Sequence, residues 1–414
     1  MIRVENALNT VLKDIKTLGI EVVTLTDSLA RVLACDIHSN SSVPAFGNSA
    51  MDGYALKSHD TRGASGKYPK VLEVIEDLRA GYTAKKALKA GQAIRIMTGA
   101  LVPDGADSVV MVEETKKVSS VKCQVSSRMK KEFVRIFKEI KPGENIRKRG
   151  EDIKKGERII QKGTLLRSAH IGILASLGIP KIKVTKKPRI AVLATGDEVI
   201  GVGKRLTPGK LYNSNTYALY SQIINCGAIP KNLGIAKDRP AELAAKIEKG
   251  LDCDMILTSG GVSVGDYDLV RDVLAKMGAD IKFWKVAMRP GKPLAFGHIK
   301  GIPIFGLPGN PVSSMVSFEV FVLPVILKML GLKMDFRNNE VEAIIEEDIA
   351  KKKGLRYFLR AHTCWDNGVY FARTTGPQGS GILKSMALAN SLIILPEAEE
   401  RIEKGKKVTV RFLD

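Results

Sequence analysis

The segment Met255-Ile-Leu-Thr-Ser-Gly-Gly-Val-Ser-Val-Gly-Asp-Tyr-Asp268 places a glycine-rich polar loop directly after a short apolar run. The run has the length and composition of a buried strand. Glycine tolerates positive φ and close approach of the backbone, so the N–H groups from Ser259 to Gly265 can converge on an oxyanion. Asp266 and Asp268 add carboxylates that can recruit a metal ion. The segment therefore indicates an anion site with a metal, and a flexible loop is the alternative.

A second polar loop of this kind follows farther along the chain. Gly306-Leu-Pro-Gly-Asn-Pro311 comes directly after the apolar run at residues 302–305. Asn310 suits the N-cap of a helix and Pro311 suits its first turn, so the next N–H groups and the positive end of the helix would face an anion. An ordinary helix start would have the same sequence.

Residues 187–331 alternate short apolar runs with stretches of helical length. We predict strands over 189–194, 229–235, 254–258 and 302–307, and helices over 216–226, 240–251 and 268–277. This repeated βα order, with right-handed crossovers, makes a doubly wound, mostly parallel sheet. Ligands of such sheets bind beyond the carboxyl ends of the strands. Both glycine-rich loops are therefore expected at that edge.

Two further charged segments lie in the same region. Thr195-Gly-Asp-Glu198 follows the first predicted strand, and its carboxylates would suit a hard cation such as Mg²⁺, with a capped polar loop as the alternative. Lys285, Arg289 and Lys292 place three cations on one strand and turn between the two loops. Such cations suit phosphate or another oxyanion, and an ordinary charged surface is the alternative.

The flanking regions favour β structure. Residues 1–186 carry short β-like runs and turn signals, which predict a β-rich N-terminal lobe. Runs at 341–345, 356–363, 369–374, 392–395 and 407–412 predict a small all-β, barrel-like C-terminal domain, with a hairpin turn at Asp366-Asn-Gly368. The predicted fold class is thus a multidomain α/β protein with a doubly wound central domain.

Length and composition limit the remaining possibilities. The 414 residues imply two to four domains, and five scattered cysteines without a C-x-x-C pair favour a reducing cytoplasm. Residues 1–18 are typical of an amphipathic helix rather than a signal peptide. Charged residues and a proline interrupt the apolar window at 315–332, so we expect no membrane association.

The net charge of +21 allows nucleic acid, an anionic membrane or small anionic substrates as partners. Basic residues cluster between residues 116 and 162 without the interleaved aromatic residues that base stacking needs, so a solvated lysine-rich surface is favoured over nucleic-acid binding. The histidines match no zinc motif. Walker A, nucleophile-elbow and Rossmann motifs are absent, which argues against kinase, hydrolase and dehydrogenase chemistry.

Several motifs resemble, in order, those of one known family, the molybdopterin molybdenumtransferases, which include the gephyrin E domain. The matching segments are Ser49-Ala-Met-Asp-Gly-Tyr-Ala55, Arg95-Ile-Met-Thr-Gly-Ala100, Gly143-Glu-Asn-Ile-Arg147, Arg149-Gly-Glu-Asp152, Thr195-Gly-Asp-Glu198, Ser259-Gly-Gly-Val-Ser-Val-Gly265 and Gly306-Leu-Pro-Gly-Asn-Pro311. They extend over the whole chain, so chance similarity is improbable.

The resemblance implies the final step of molybdenum cofactor biosynthesis. Adenylylated molybdopterin and molybdate, or tungstate, would react with Mg²⁺ present to give the metallated pterin and AMP. It also implies an elongated homodimer whose sites lie between the α/β domain of one subunit and the β-rich lobe of the other, with the pterin-adenylylating enzyme as a further partner. The implied domains are a helical linker and dimerisation domain (1–20, 39–46 and 163–186), the β-rich lobe (21–38 and 47–162), the molybdopterin-binding α/β domain (187–331) and the C-terminal β domain (332–414).

The resemblance, together with the chemistry of the residues, suggests roles for individual residues. Catalytic roles fall to Asp52, Thr98, Glu198, Asp268 and Lys285. Metal ligands are Glu198, Asp266, Asp268 and Asp52. Substrate-binding roles fall to Arg147, Asp152, Asn213, Ser259, Gly260, Gly261, Ser263, Arg289, Lys292, Pro308, Gly309, Asn310, Pro311 and Ser313.

Two residues depart from the family pattern. Asn213 stands where the family usually has Asp, which removes a charge, and Arg289 stands where Lys is common. A non-catalytic dimeric scaffold of the gephyrin E-domain type and a basic nucleic-acid-binding protein are the alternative functions.

Overall fold

The computed structural model describes residues 1–118, 131–261, 269–332 and 339–413. The chain divides into two units. The first comprises Met1–Cys35, Lys162–Arg167 and Lys181–Asp414, and the second comprises Asp36–Gln161 and Ser168–Pro180. The chain therefore leaves the first unit twice, for residues 36–161 and for residues 168–180, and returns each time. This division is coarser than the four domains implied by the resemblance, which stay a prediction.

The described part of the first 180 residues is mostly β structure. Its helices are α1 (Val4–Lys13) and α2 (Ser168–Ser176), with 3-10 turns at Thr26–Ser28, Ser58–Thr61 and Val112–Glu114. Its strands are β1 (Ile20–Thr24), β2 (Ile37–His38), β3 (Asn48–Ser49), β4 (Gly53–Leu56), β5 (Lys70–Leu78), β6 (Gln92–Ile96), β7 (Ser108–Met111), β8 (Thr115–Val118), β9 (Glu132–Ile136), β10 (Ile146–Arg147) and β11 (Arg158–Ile160).

The remaining chain alternates strands and helices and then becomes β-rich. Its helices are α3 (Ser214–Asn225), α4 (Pro240–Glu248), α5 (Leu269–Lys276), α6 (Pro311–Ser317), α7 (Leu323–Met329) and α8 (Leu383–Ala387), with a π-helical turn at Phe318–Val322. Its strands are β12 (Lys181–Thr185), β13 (Arg189–Thr195), β14 (Val199–Ile200), β15 (Leu211–Tyr212), β16 (Ile229–Ala236), β17 (Met255–Ser259), β18 (Asp280–Lys285), β19 (Met288–Arg289), β20 (Pro293–Ile299), β21 (Ile302–Leu307), β22 (Glu340–Ile345), β23 (Ile349–Ala350), β24 (Arg356–Asp366), β25 (Val369–Thr374), β26 (Ser391–Leu395), β27 (Arg401–Ile402) and β28 (Lys407–Phe412).

The central sheet of the first unit has the strand order β16-β13-β17-β21-β20-β18. Its first four strands are mutually parallel, and β20 and β18 are added antiparallel at one side. The predicted doubly wound, mostly parallel sheet is confirmed. The antiparallel pair is a feature that the βα rhythm does not predict.

Helices cover both faces of this sheet, which explains why its strands are continuous apolar runs. Along β13, Ile190 and Val192 lie in one buried cluster with residues of α3 and α6. Ala191 and Leu193, which point the other way, lie in a second cluster with residues of α4 and α5. Alternation along one strand thus supplies two hydrophobic cores.

A continuous helix, Pro311–Met329, runs through α6, the π-helical turn and α7. Pro324 has no N–H to donate to residue 320, and the wider π turn directly precedes it. By length and composition the helix could cross a membrane, but 78% of its apolar window is buried inside the protein. Such burial is typical of a core helix, so its hydropathy is weak support for a membrane span.

The C-terminal part of the first unit is a closed five-stranded barrel. The order β24-β25-β22-β28-β26 is closed by pairing between β24 and β26. The predicted hairpin turn joins β24 to β25, and Asn367 and Gly368 both have positive φ, as a type I′ turn requires. The predicted barrel-like domain is confirmed.

The second unit contains a six-stranded sheet of order β7-β4-β6-β5-β9-β8. Asp52 directly precedes β4, and Thr98 follows the neighbouring strand β6. In the first unit, β1 pairs with β12. The resemblance implies that residues 21–24 of β1 belong to the β-rich lobe and that β12 belongs to the linker domain, and these boundaries stay a prediction.

Candidate active site

A cavity of about 580 Å³ lies where strands β13, β17 and β21 end. It is lined by Ala194, Thr195, Glu198, Val199, Leu211, Tyr212, Asn213, Ser214, Asn215, Ser259, Gly260, Gly261, Pro293, Pro308, Gly309, Asn310 and Pro311. This is the carboxyl edge of the parallel strands, where doubly wound folds bind ligands. Its volume falls within the usual range for a small-molecule site. The structure therefore brings both glycine-rich loops to one cavity, together with the Thr195–Glu198 segment.

Glu198 is the carboxylate that lines this cavity within the described chain. Its neighbour Asp197 has another role: the Asp197 and Asp238 carboxylates each accept the other residue's backbone N–H, at 3.3 and 3.2 Å. Lys210 and Lys237 donate to the Asp197 carbonyl at 2.9 and 3.1 Å. These bonds fix the loop, so the two adjacent carboxylates divide into one that supports the backbone and one that faces the cavity.

Gly196 allows the Glu198 side chain to fold back over the loop. Gly196 has φ +132°, and a Cβ built there would lie 2.5 Å from Glu198 Oε2. No larger residue fits at this position unless the carboxylate moves. The glycine of the Thr-Gly-Asp-Glu motif thus serves the placement of its glutamate.

The loop after β17 depends on glycine for a packing reason. Gly261 has φ +70°, and a Cβ there would meet Val270 Cγ2 at 2.4 Å. The described part of this loop, Ser259 to Gly261, lines the cavity as predicted. The predicted site residues Ser263, Asp266 and Asp268 lie outside the described residues.

Asn310 occupies the N-cap of α6, as predicted, with Pro311 as the first helical residue. Its side chain makes no cap hydrogen bond and instead donates to Ser380 Oγ at 3.0 Å. The Val312 N–H in turn donates to the Ser380 carbonyl at 3.1 Å. The C-terminal residues therefore hold this helix start in place. Ser313 is 4% exposed and does not line the cavity.

Two asparagines at the start of α3 complete the cavity wall. Asn213 Oδ1 accepts the Thr216 N–H at 3.1 Å and caps the helix. Asn213 therefore has a structural role that an Asp could also fill. Asn215 donates from Nδ2 to Ser259 Oγ and to the Gly309 carbonyl, both at 2.8 Å. Asn215 was not among the predicted site residues, because its partners are distant in the sequence.

The three predicted cations do not line this cavity. Lys285 is exposed at the end of β18, and Lys292 is exposed next to Pro293, which does line it. Arg289 lies 5.5 Å from the ring centroid of Tyr357 and borders a separate cavity of about 630 Å³. The sequence placed these cations between the two loops, but β18 is the edge strand of the sheet, beyond β20.

In the second unit, Asp52 and Thr98 form a close pair. The Thr98 backbone N–H and hydroxyl both donate to Asp52 Oδ1 at 2.7 Å. The hydroxyl bond, followed by the backbone bond, holds the pKa of Asp52 below its ordinary value. Arg147 pairs with Asn48 between strands β10 and β3. Asp152 is exposed in a loop, and its own backbone N–H donates to the Val43 carbonyl.

Three family models match in order along the chain. The MoeA N-terminal region (domain I and II) matches residues 2–178, a probable molybdopterin binding domain matches 191–328, and the MoeA C-terminal region (domain IV) matches 342–413. The middle match contains the cavity and all the loops that form it.

Full-length relatives give the same result. The chain is 39% identical over 394 residues to the molybdopterin molybdenumtransferase of Bacillus subtilis, covering 95% of this chain and 90% of the relative. It is 38% identical to that of Nostoc, covering 94% and 88%. Two crystal structures of the molybdopterin biosynthesis MoeA protein from Pyrococcus horikoshii match with TM-scores of 0.83 and 0.81 at 33% and 30% identity, covering 100% of this chain and 99% and 100% of theirs.

The resemblance found in the sequence motifs is thus confirmed by matches that extend over both units. Relatives above 30% identity over nearly their full length share one name, and the solved structures share the fold. The chain belongs to the molybdopterin molybdenumtransferase family.

Proposed function

We propose that this chain is a molybdopterin molybdenumtransferase that carries out the final step of molybdenum cofactor biosynthesis. It takes adenylylated molybdopterin and molybdate, uses Mg²⁺, and releases AMP and the metallated pterin. One observation carries the proposal: three segments at the strand ends bring two glycine-rich loops and several polar side chains to a single cavity that also contains the Glu198 carboxylate. A phosphorylated ligand with a bound divalent cation is the class of substrate that this combination suits.

The donor groups suit phosphate oxygens. Ser259, Gly260 and Gly261 line one side of the cavity, and Gly309 and Asn310 line another. Backbone N–H groups in glycine-rich loops form anion-binding concavities. A pterin phosphate joined to a nucleotide carries several negative charges, which such donors and the strongly basic chain would offset.

The residues present also fit Mg²⁺. Proteins commonly bind this ion through one or two carboxylates together with substrate phosphates and water, and no larger cage is needed. The described residues contain no metal site built from three or more Asp, Glu, His or Cys side chains. Glu198 would hold the ion with Asp266 and Asp268 of the adjoining loop. When bound, Mg²⁺ supplies charge that polarises the phosphoanhydride.

Further roles follow from the family. Lys285, Arg289 and Lys292 would hold phosphate or molybdate. Asp52, whose pKa Thr98 holds below its ordinary value, would complete the site from a second subunit of a homodimer. The pterin-adenylylating enzyme would deliver the substrate, in the cytoplasm.

The direct test is to mix purified protein with adenylylated molybdopterin, Mg²⁺ and either molybdate or tungstate, and to measure AMP and active cofactor. Glu198→Gln and Asp52→Ala should fold normally and lose oxyanion-dependent AMP release. Glu248→Gln and Asp104→Ala, both exposed and outside the cavity, are the matched controls and should keep it. Unchanged turnover in the first pair would refute the assigned roles.

The nucleic-acid alternative makes a different prediction. Steeply salt-dependent nucleic-acid affinity without pterin binding would favour it.

A further inference from the structure

The side chain of Asn215 joins the three loops that form the cavity. Its Nδ2 donates at 2.8 Å to Ser259 Oγ at the end of β17, and at 2.8 Å to the Gly309 carbonyl after β21. Asn215 itself lies in the first turn of α3, which Asn213 caps through the Thr216 N–H. One amide group therefore connects segments that are 44 and 94 residues away in the sequence.

The orientation of this amide follows from its partners. The Gly309 carbonyl can only accept a hydrogen bond, so the NH₂ end of Asn215 must face it, and the two N–H groups are both used. The Oδ1 atom is buried and has no hydrogen-bond partner among the described residues. A buried oxygen without a partner costs free energy, so Oδ1 does not stabilise the loops. The stabilising contacts of the Asn215 side chain are its two donated hydrogen bonds.

The bond from Asn215 determines what the Ser259 hydroxyl can do. A hydroxyl has one proton and two lone pairs, and the Asn215 N–H occupies a lone pair. Ser259 is 3% exposed and lines the cavity. Among the described residues, the Ser259 hydroxyl accepts this bond and donates none. With respect to the described residues, the hydroxyl therefore keeps its proton available to a ligand.

We propose that Asn215 is a positioning residue that presents the Ser259 hydroxyl as a hydrogen-bond donor to a phosphate oxygen of the substrate. The inference rests on the proposed function, because it takes adenylylated molybdopterin as the occupant of the cavity. Asn215 acts through Ser259, and its second bond, to the Gly309 carbonyl, orients the amide for this contact.

A double-mutant cycle tests this coupling with neutral substitutions. The binding of adenylylated molybdopterin is measured by calorimetry with Mg²⁺ and without molybdate, for Asn215→Ala, Ser259→Ala and the double variant. Each single change should weaken binding about 10- to 100-fold, the range for losing a hydrogen bond to a charged group. Because Asn215 acts through Ser259, the double variant should bind within about threefold of the weaker single variant.

Controls separate positioning from folding. Asn225→Ala makes the same substitution at the far end of α3 and should leave binding unchanged. Thermal unfolding of every variant shows whether a loss of affinity exceeds any loss of stability. If Asn215→Ala does not fold, the uncharged Asn215→Leu replaces it, since leucine has a similar size and no donor for Ser259, and binding should weaken by a similar factor.

Two results would overturn the inference. Losses that multiply in the double variant, or unchanged binding in Asn215→Ala, would show that Asn215 does not act through Ser259 while leaving the proposed function intact. Failure of the unmodified protein to bind adenylylated molybdopterin would overturn both.

Discussion

Thr98 gives both of its hydrogen-bond donors, the backbone N–H and the hydroxyl, to one oxygen of Asp52, each at 2.7 Å. The two residues are 46 positions apart and meet because β4 pairs with β6, so that the start of one strand faces the end of the other. The exposed carboxylate is therefore held in one orientation and favoured in its ionised form.

Thr98→Val should raise the pKa of Asp52 towards its ordinary value of 3.8, because the hydroxyl bond, the largest cause of the shift, is lost while the backbone bond remains. A carboxyl whose pKa is lowered by folding stabilises the protein above its unfolded pKa. That contribution disappears as the pH falls through the folded pKa. Variant and unmodified protein should therefore differ in stability above about pH 4 and converge below it. NMR titration with labelled aspartate measures the pKa directly.

Thr98→Ser is the matched control, since it keeps the hydroxyl and should keep the lowered pKa. An Asp52 pKa that does not change in Thr98→Val would show that the backbone N–H alone sets it.

If Glu198 holds Mg²⁺ as proposed, Gly196→Ala should weaken Mg²⁺ binding more than it weakens folding. The new Cβ would lie 2.5 Å from Glu198 Oε2, so the carboxylate must leave its present position. Displacing a metal ligand through its surroundings commonly costs about 10- to 100-fold in metal affinity. The Mg²⁺ concentration that half-saturates AMP release measures the effect. Gly203→Ala, also at positive φ but with nothing within 4 Å, is the control and should leave this concentration unchanged.

Gly261→Ala should destabilise the first unit by about 2–4 kcal/mol, because a left-handed residue costs about 1–2 kcal/mol and overpacking costs a similar amount. Gly278 has nearly the same φ as Gly261, +77° against +70°, but a Cβ there would meet no atom within 4 Å. Gly278→Ala should therefore lose only the stability that the left-handed backbone costs, about 1–2 kcal/mol. Adding Val270→Ala to Gly261→Ala removes the contacted methyl groups and should recover part of the loss. Urea unfolding measures all of these variants. Equal losses at positions 261 and 278 would contradict the packing explanation.

The sequence predicts the parts of this fold that depend on local pattern. Ile190 to Leu193 form an unbroken apolar run because alternate side chains enter two different cores, and this run is recognisable without any partner. Asn367 and Gly368 likewise predict a type I′ turn from their own conformational preferences. The glycine-rich loops are recognisable for the same reason, and their position at one edge follows from parallel strand order.

The sequence does not predict features that depend on which distant segments meet. Lys285 was predicted near the site because it lies between the two loops in the chain; it lies at the end of β18, paired with Pro293 of the cavity wall, and its role stays a prediction. Asn215 resembles any polar residue in a first helical turn until its bonds to Ser259 and Gly309 are known. Asn310 was correctly predicted at the N-cap, but its hydrogen bond to Ser380, 70 residues away, could not be predicted from the local sequence.

Arg360 provides the last prediction, because it is fully buried and supports the segment that contains Ser380. Its guanidinium donates to the carbonyls of Pro377, Gln378 and Gly379 at 3.0–3.3 Å and to Ser385 Oγ at 3.1 Å. Burial lowers its pKa to about 10, so it is charged at neutral pH. The positive charge is therefore compensated by carbonyl dipoles rather than by a carboxylate.

Arg360→Met should lower the free energy of unfolding by about 2–4 kcal/mol. Each carbonyl left buried without a donor costs about 1–3 kcal/mol. The total is smaller than three full penalties because the three carbonyls are only partly buried. Arg360→Lys keeps the charge but offers its donors at a single point, so it should recover only a fraction. Arg373→Met, at an exposed position on the adjacent strand β25, is the control and should be neutral. Because Ser380 accepts the Asn310 amide, Arg360→Met should also raise the KM for adenylylated molybdopterin. A variant as stable as the unmodified protein would show that water can replace the guanidinium at these carbonyls.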